Sequence, residues 1–187
     1  GRGRANALSL RIHHHHQARE INVCSAKAIL KYTIHSAGIT DVGKKRSHNE
    51  DAFAIHQEQG LFIMCDGMGG HASGEVASQL AVEEIARFFL DLCRDSTFDW
   101  PYELDEERPF NARALEGGIL YANDRIFVES MKNSELEGMG TTVCAMATAG
   151  KNAVSFADGR SSRNRIDGSR LISASILIAH LKSSMWK

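Results

Sequence analysis

The chain has 187 residues, an apolar fraction of 43%, a charged fraction of 24% and a net charge of −1. That length supports one domain with its own core, and the composition is that of an ordinary soluble protein. The near-neutral balance argues against a nucleic-acid or anionic-lipid surface. The apolar stretch 171–181 is too short to span a bilayer and includes Ser and His.

Residues 1–33 stand apart. They carry Arg2, Arg4, Arg11 and Arg19, the run His13-His14-His15-His16, and no acidic residue before Glu20. The expectation is a disordered leader. A transit peptide would be richer in Ser and more amphipathic, and the His run, though chemically able to hold zinc, has nothing to orient it. A short helix is expected over 21–30. The ordered pattern begins at Thr33, with a strand expected over 33–39 and a basic loop at Lys44-Lys45-Arg46.

Two apolar runs, 52–56 and 61–65, flank the polar turn Gln57-Glu58-Gln59-Gly60 and read as a β-hairpin. A turn centred between Glu58 and Gln59 sets Asp51 opposite Asp66. Directly opposed residues have Cβ atoms about 4.5–5.5 Å apart, and like charges placed so are destabilising. Asp51 against Asp66, with Glu50 beside them, therefore points to a cation. Such hard oxygen donors suit Mg²⁺ or Mn²⁺ better than zinc. Asp66, ending a buried strand, is the candidate bridge between two ions, and Gly67 leaves its carbonyl free to reach one. Arg46 lies at the same hairpin mouth, where its planar fork suits phosphate oxygens. Taken singly, Asp66-Gly67 is a turn and Lys44-Lys45-Arg46 an exposed basic loop; their joint placement makes them a candidate site. Gly69-Gly70 lacks the Gly-Lys-Ser/Thr ending of a phosphate loop. His71 is read as a loop residue, with general acid a lesser role.

A helix is expected to open at Ser73, with Ser73 as N-cap and Glu75 in the first turn. Its apolar positions Ala77, Ala81, Ile85, Phe88 and Leu92 keep helical spacing. Residues 98–109 read as a loop packed by Trp100 and Tyr102. A second helix is expected over 112–131, with Leu115, Ile119, Ala122 and Ile126 as its stripe and Gly117-Gly118 weakening its first turns. Gly138-Met139-Gly140 turns into a strand over 141–147, followed by another over 152–157. The four cysteines form no C-x-x-C pair. Cys65 and Cys144 lie in apolar runs as small hydrophobes, and a reduced, cytoplasmic setting is expected. Arg160, Arg163, Arg165 and Arg170 precede the apolar stretch 171–181, which the pattern assigns to neither helix nor strand.

Three motifs, Arg46-x-x-Asn49-Glu50-Asp51, Asp66-Gly67-Met68-Gly69-Gly70-His71 with Gly74-Glu75, and Gly138-Met139-Gly140-Thr141-Thr142, closely resemble those of the bacterial type 2C (PPM) metal-dependent protein phosphatases. The likeness runs from about Ser36 to Ala149. It implies an α+β fold, a β-sandwich of two antiparallel sheets flanked by helices. It also implies hydrolysis of phosphoserine and phosphothreonine with two Mn²⁺ or Mg²⁺ ions, by in-line attack of a metal-bridging hydroxide. By resemblance Asp66 bridges the ions, the Gly67 carbonyl binds one, Glu50 and Asp51 hold metal or metal-bound water, and Arg46 grips phosphate. Met68 stands where many eukaryotic members have a His, which leaves the general acid without an owner. Ala157-Asp158-Gly159-Arg160 resembles a shortened form of the family's Gly-Asp-Ser-Arg, making Asp158 a further candidate ligand. The family's later Ser-Asp-Gly and Asp-Asn have no counterpart after Leu171.

The implied organisation is a leader over 1–33, a partial phosphatase domain over 34–157 and a divergent segment over 158–187. The implied partners are phosphoproteins produced by a Ser/Thr kinase, with no nucleic acid or membrane and a monomeric state. The alternative is a catalytically inactive fragment or pseudophosphatase that binds metal or a phosphoprotein.

Overall fold

A computed structural model describes residues 34–68, 73–95, 97–98, 100–148 and 153–156, together with the backbone of 149, 152, 157, 160–167, 170–171 and 179–182. The expected helix over 21–30, His71 and Asp158 lie outside the described residues.

The hairpin forms as the alternation of its side chains dictates. Strand β1 (Asp51–His56) pairs antiparallel with β2 (Leu61–Met68), and the register runs from His56↔Leu61 to Asp51↔Asp66. Leu61, Ile63, Cys65 and Ala52 are buried, whereas Phe53, Met64, Asp51 and Asp66 face outward and are exposed. Strand β3 (Gly140–Ala149) pairs with β2 on one side. On its other side it pairs first with β7 (Ala179–Lys182) and then with β4 (Asn152–Ala157). Strands β5 (Arg160–Asp167) and β6 (Arg170–Leu171) extend the sheet from β4. The strands thus form one antiparallel sheet in the order β1-β2-β3-β4-β5-β6, with β7 beside β3. The α+β class with antiparallel strands holds. Among the described residues a single sheet is present, one of the two that the resemblance implies.

Helices α1 (Ser73–Arg94) and α2 (Phe110–Lys132) cover the inner face. The expected stripes are the buried ones: Ala77, Ala81, Ile85, Phe88 and Leu92 on α1, and Leu115, Ile119, Ala122 and Ile126 on α2. Gly117 costs helix propensity, but a Cβ there would stand 2.9 Å from the Phe88 ring. The glycine is what lets the two helices meet. The loop between them is packed as expected. Phe88 meets Phe98 edge-on at 5.4 Å between centroids, and Trp100 meets Phe110 at 6.0 Å.

The strand expected over 33–39 is a correction: residues 34–40 pair in no ladder among the described residues. They cross the edge strand β1 through side chains. Ser36 donates to Gln57 Oε1 at 2.9 Å, and the Phe53 ring lies against Gly38. The stretch 160–182, which the pattern left open, contributes β5, β6 and β7.

Cys65 and Cys144 are free thiols. Burial, then the nearby Cys144, pushes Cys65 up to about 12, so it packs as a neutral hydrophobe. Among the described residues no helix is long and apolar enough to cross a membrane.

Phe89, fully buried on α1, anchors the helix layer. Phe89→Ala is expected to cost about 3–5 kcal/mol in urea unfolding.

Candidate metal and phosphate site

The site is built where the open end of the hairpin meets the first turn of α1. Asn49 locks the chain as it approaches β1: its side-chain amide donates to Thr40 Oγ1 at 2.8 Å, and its Oδ1 accepts the Asp51 amide at 3.1 Å. Asp51 then stands across the ladder from Asp66, as the turn length predicts. The pairs Met64↔Cys144 and Gly67↔Thr141 place Thr142 on the other side of Asp66. There the Thr142 hydroxyl accepts the Asp66 amide at 3.1 Å. The third motif therefore fixes the backbone of the second. Met139, fully buried beside the Gly138 turn, anchors the start of β3. Asn49 and Thr142 stand in the sequence motifs, but nothing in the sequence alone gives either this role.

Gly67 is crowded by backbone on two sides. Its amide donates to the Glu50 carbonyl at 2.9 Å. A Cβ at Gly67 would lie 2.0 Å from the Gly74 carbonyl oxygen and 2.7 Å from that of Glu50. Only glycine permits β2, the Glu50 segment and α1 to converge here. Neither neighbour is a flexible side chain that could yield.

Electrostatics single out Asp51. Asp51 is pushed above its ordinary carboxylate value, first by burial, then by the charge of Asp66 and a hydrogen bond with it. Glu50 adds to the rise, and Arg46 opposes it. Arg46 Nη1 donates to Glu50 Oε2 at 3.0 Å. Lys45, Arg46, Ser47, His48 and Glu50 line an open recess of about 310 Å³ at this mouth.

The structure thus brings together Arg46, Glu50, Asp51, Asp66 and Gly67. The donors fit Mn²⁺ or Mg²⁺: two exposed carboxylates held in mutual repulsion are hard ligands whose penalty a divalent cation would relieve. The fit is partial. Among the described residues no three acidic, His or Cys side chains converge tightly enough to hold an ion, and Glu50 is engaged by Arg46 instead.

With that geometry in place, the family is decided by comparison. The sequence profile described as protein phosphatase 2C matches residues 42–182, and the chain belongs to that family. The match continues past residue 149, where the likeness of motifs fades, to the end of β7. The chain is 33% identical over 124 residues to the serine/threonine protein phosphatase PstP of Mycobacterium tuberculosis, covering 65% of this chain and 20% of that protein. It is 35% identical over 124 residues to the serine/threonine phosphatase stp of Listeria monocytogenes, covering 65% of this chain and 45% of that protein. It therefore spans less than half the length of these relatives. Among solved structures, the M. tuberculosis phosphatase PstP/Ppp overlays with a TM-score of 0.47 at 30% identity, covering 66% of this chain and 50% of that one. The PstP catalytic domain in complex with two manganese ions gives 0.46 at 29% identity, covering 66% and 51%.

Two outcomes follow from the geometry. Gly67→Ala should destabilise the fold by about 2 kcal/mol or more, measured by urea unfolding, because the new methyl meets backbone. Asp51→Asn should raise the melting temperature in EDTA at pH 7 by about 1–2 °C, a small gain because Asp51 is exposed and its charge screened. The sign follows from linkage. A raised folded value lends stability that is full below the ordinary value of 3.8 and lost as pH rises through the folded one, so repulsion is complete at neutral pH. In saturating Mn²⁺ the order should invert, with the wild-type chain the more stable.

Proposed function

We propose that this chain carries the phosphate-ester-hydrolysing centre of a metal-dependent protein serine/threonine phosphatase. The observation that carries the reading is the register that sets Asp51 against Asp66 with Arg46 at their mouth. Membership of the protein phosphatase 2C family supports it. The serine/threonine phosphatases among the relatives support phosphoserine and phosphothreonine proteins as substrates, the products of a Ser/Thr kinase. We further propose a monomer acting away from membranes.

In this reading Asp66, Asp51 and the Gly67 carbonyl hold two Mn²⁺ or Mg²⁺ ions. Asp158, outside the described residues, is a further ligand. Glu50 is the least committed of the nominated ligands, because Arg46 already occupies one of its oxygens. The bound ions would supply an acidified water for attack and neutralise charge on the phosphoryl oxygens. The protein's own part is positional. Thr142 and Asn49 fix the backbones of Asp66 and Asp51, Gly67 allows close approach to α1, and Arg46 offers N–H donors to the phosphoryl oxygens.

A second reading is favoured by one observation: no three candidate ligand side chains converge among the described residues. It is a chain that binds metal or a phosphoprotein without hydrolysis. Phosphate release from a phosphothreonine peptide separates the two. The first reading expects release that needs Mn²⁺, stops with EDTA and falls about 100-fold or more in Asp66→Asn. Folded protein that takes up Mn²⁺ but releases no phosphate sinks the first reading and leaves the second.

A further inference from the structure

Glu50 is held at three points. Its carbonyl accepts the Gly67 amide at 2.9 Å. Its Oε2 accepts Arg46 Nη1 at 3.0 Å. Its carboxyl group lies against the first turn of α1, where a Cβ on Gly74 would stand 3.0 Å from Oε1. The side chain of Glu50 is 17% exposed, and that of Arg46 is 62% exposed. A fixed, mostly covered carboxylate thus holds a long side chain that would otherwise move freely in solvent.

The fixed partner orders the mobile one. A free Arg loses rotamer freedom when it grips a ligand, whereas one already tethered has lost much of it beforehand. The guanidinium carries five N–H groups in a rigid fork, and the contact with Glu50 uses one. Among the described residues the rest of the fork is left for an incoming oxyanion. The acid, meanwhile, is turned toward Arg46 and Gly74, and it does not gather with Asp51 and Asp66 into a three-ligand cluster.

We infer that Glu50 is the positioning residue for Arg46, holding its guanidinium ready for the phosphate of the substrate, and is not itself an ion ligand. This rests on the phosphatase reading above and assigns Glu50 a different part in it.

Calorimetric titration of the purified chain tests it with two probes: Mn²⁺ alone, and inorganic phosphate at saturating Mn²⁺. Four proteins are compared: wild type, Glu50→Gln, Arg46→Gln and the double variant. The expected result is a Glu50→Gln protein whose Mn²⁺ affinity stays within about twofold while its phosphate affinity falls about tenfold. In the Arg46→Gln background, Glu50→Gln should add no further loss, because the two residues act as one unit. A tenfold or greater loss of Mn²⁺ affinity makes Glu50 an ion ligand and overturns the inference. So does unchanged phosphate affinity, and so do losses that simply add. Should Glu50→Gln not fold, Glu50→Asp keeps the charge but withdraws it by one methylene, and the same pattern is expected. A wild-type chain that takes up no Mn²⁺ refutes the underlying phosphatase reading instead.

Discussion

The repulsion between Asp51 and Asp66 is imposed by the core. Side chains alternate along a strand, so a slip of one residue in the β1–β2 pairing would turn Ala52, Ile63 and Cys65 outward. Those residues are buried under α1. Burial on one face therefore fixes the register, and the register sets two carboxylates against each other on the other face. Burial of several apolar side chains at about 1.5–3 kcal/mol each outweighs one exposed like-charge pair. The pair persists because the fold is over-determined elsewhere, the usual way a site keeps an unfavourable arrangement.

The remaining parts of the site are consequences of that register. Once Asp66 is placed, its amide must find an acceptor, and Thr142 supplies one from β3. Gly67 then sits where β2, Glu50 and Gly74 meet, and the absence of side chains at 67 and 74 lets α1 begin against the end of the hairpin. The Arg46–Glu50 pair is not a stability device. With Arg46 mostly exposed, such a pair contributes about 0–1 kcal/mol. Its value is geometric, since it ties a flexible guanidinium to a residue whose backbone and side chain are both fixed.

Much of this was legible in the chain because it is encoded locally. A four-residue polar turn between two alternating runs gave the hairpin and its register, and 3.6-residue spacing gave both helix stripes. What stayed hidden depends on partners distant in sequence. Residues 34–40 carry a strand-like pattern, yet a strand forms only where a ladder accepts it, and here the segment is held by side chains across β1. The stretch 160–165 pairs with β4, although Arg160, Ser161, Ser162 and Arg163 show no apolar alternation. Thr142 reads as an ordinary strand residue; its task is visible only once Asp66 is across from it. Gly117 reads as a weak point in a helix until Phe88 is seen against it.

The placement of the acidic pair on the outer face also decides how the site is approached. Asp51 and Phe53 share that face, as do Met64 and Asp66, so the carboxylates sit next to the exposed Phe53↔Met64 pair. Helices α1 and α2 close the inner face, which leaves the outer rim of the hairpin as the way in to Asp51 and Asp66 among the described residues. Arg46 and the recess that it lines lie at that same rim. A cation drawn to the two aspartates and an oxyanion drawn to Arg46 would therefore meet on one side of the sheet. Opposite charges brought to adjoining positions reinforce each other, so each bound group raises the affinity for the other. In the proposed reading the carboxylates and the guanidinium act as one electrostatic unit at the hairpin mouth, with Arg46 tied to Glu50.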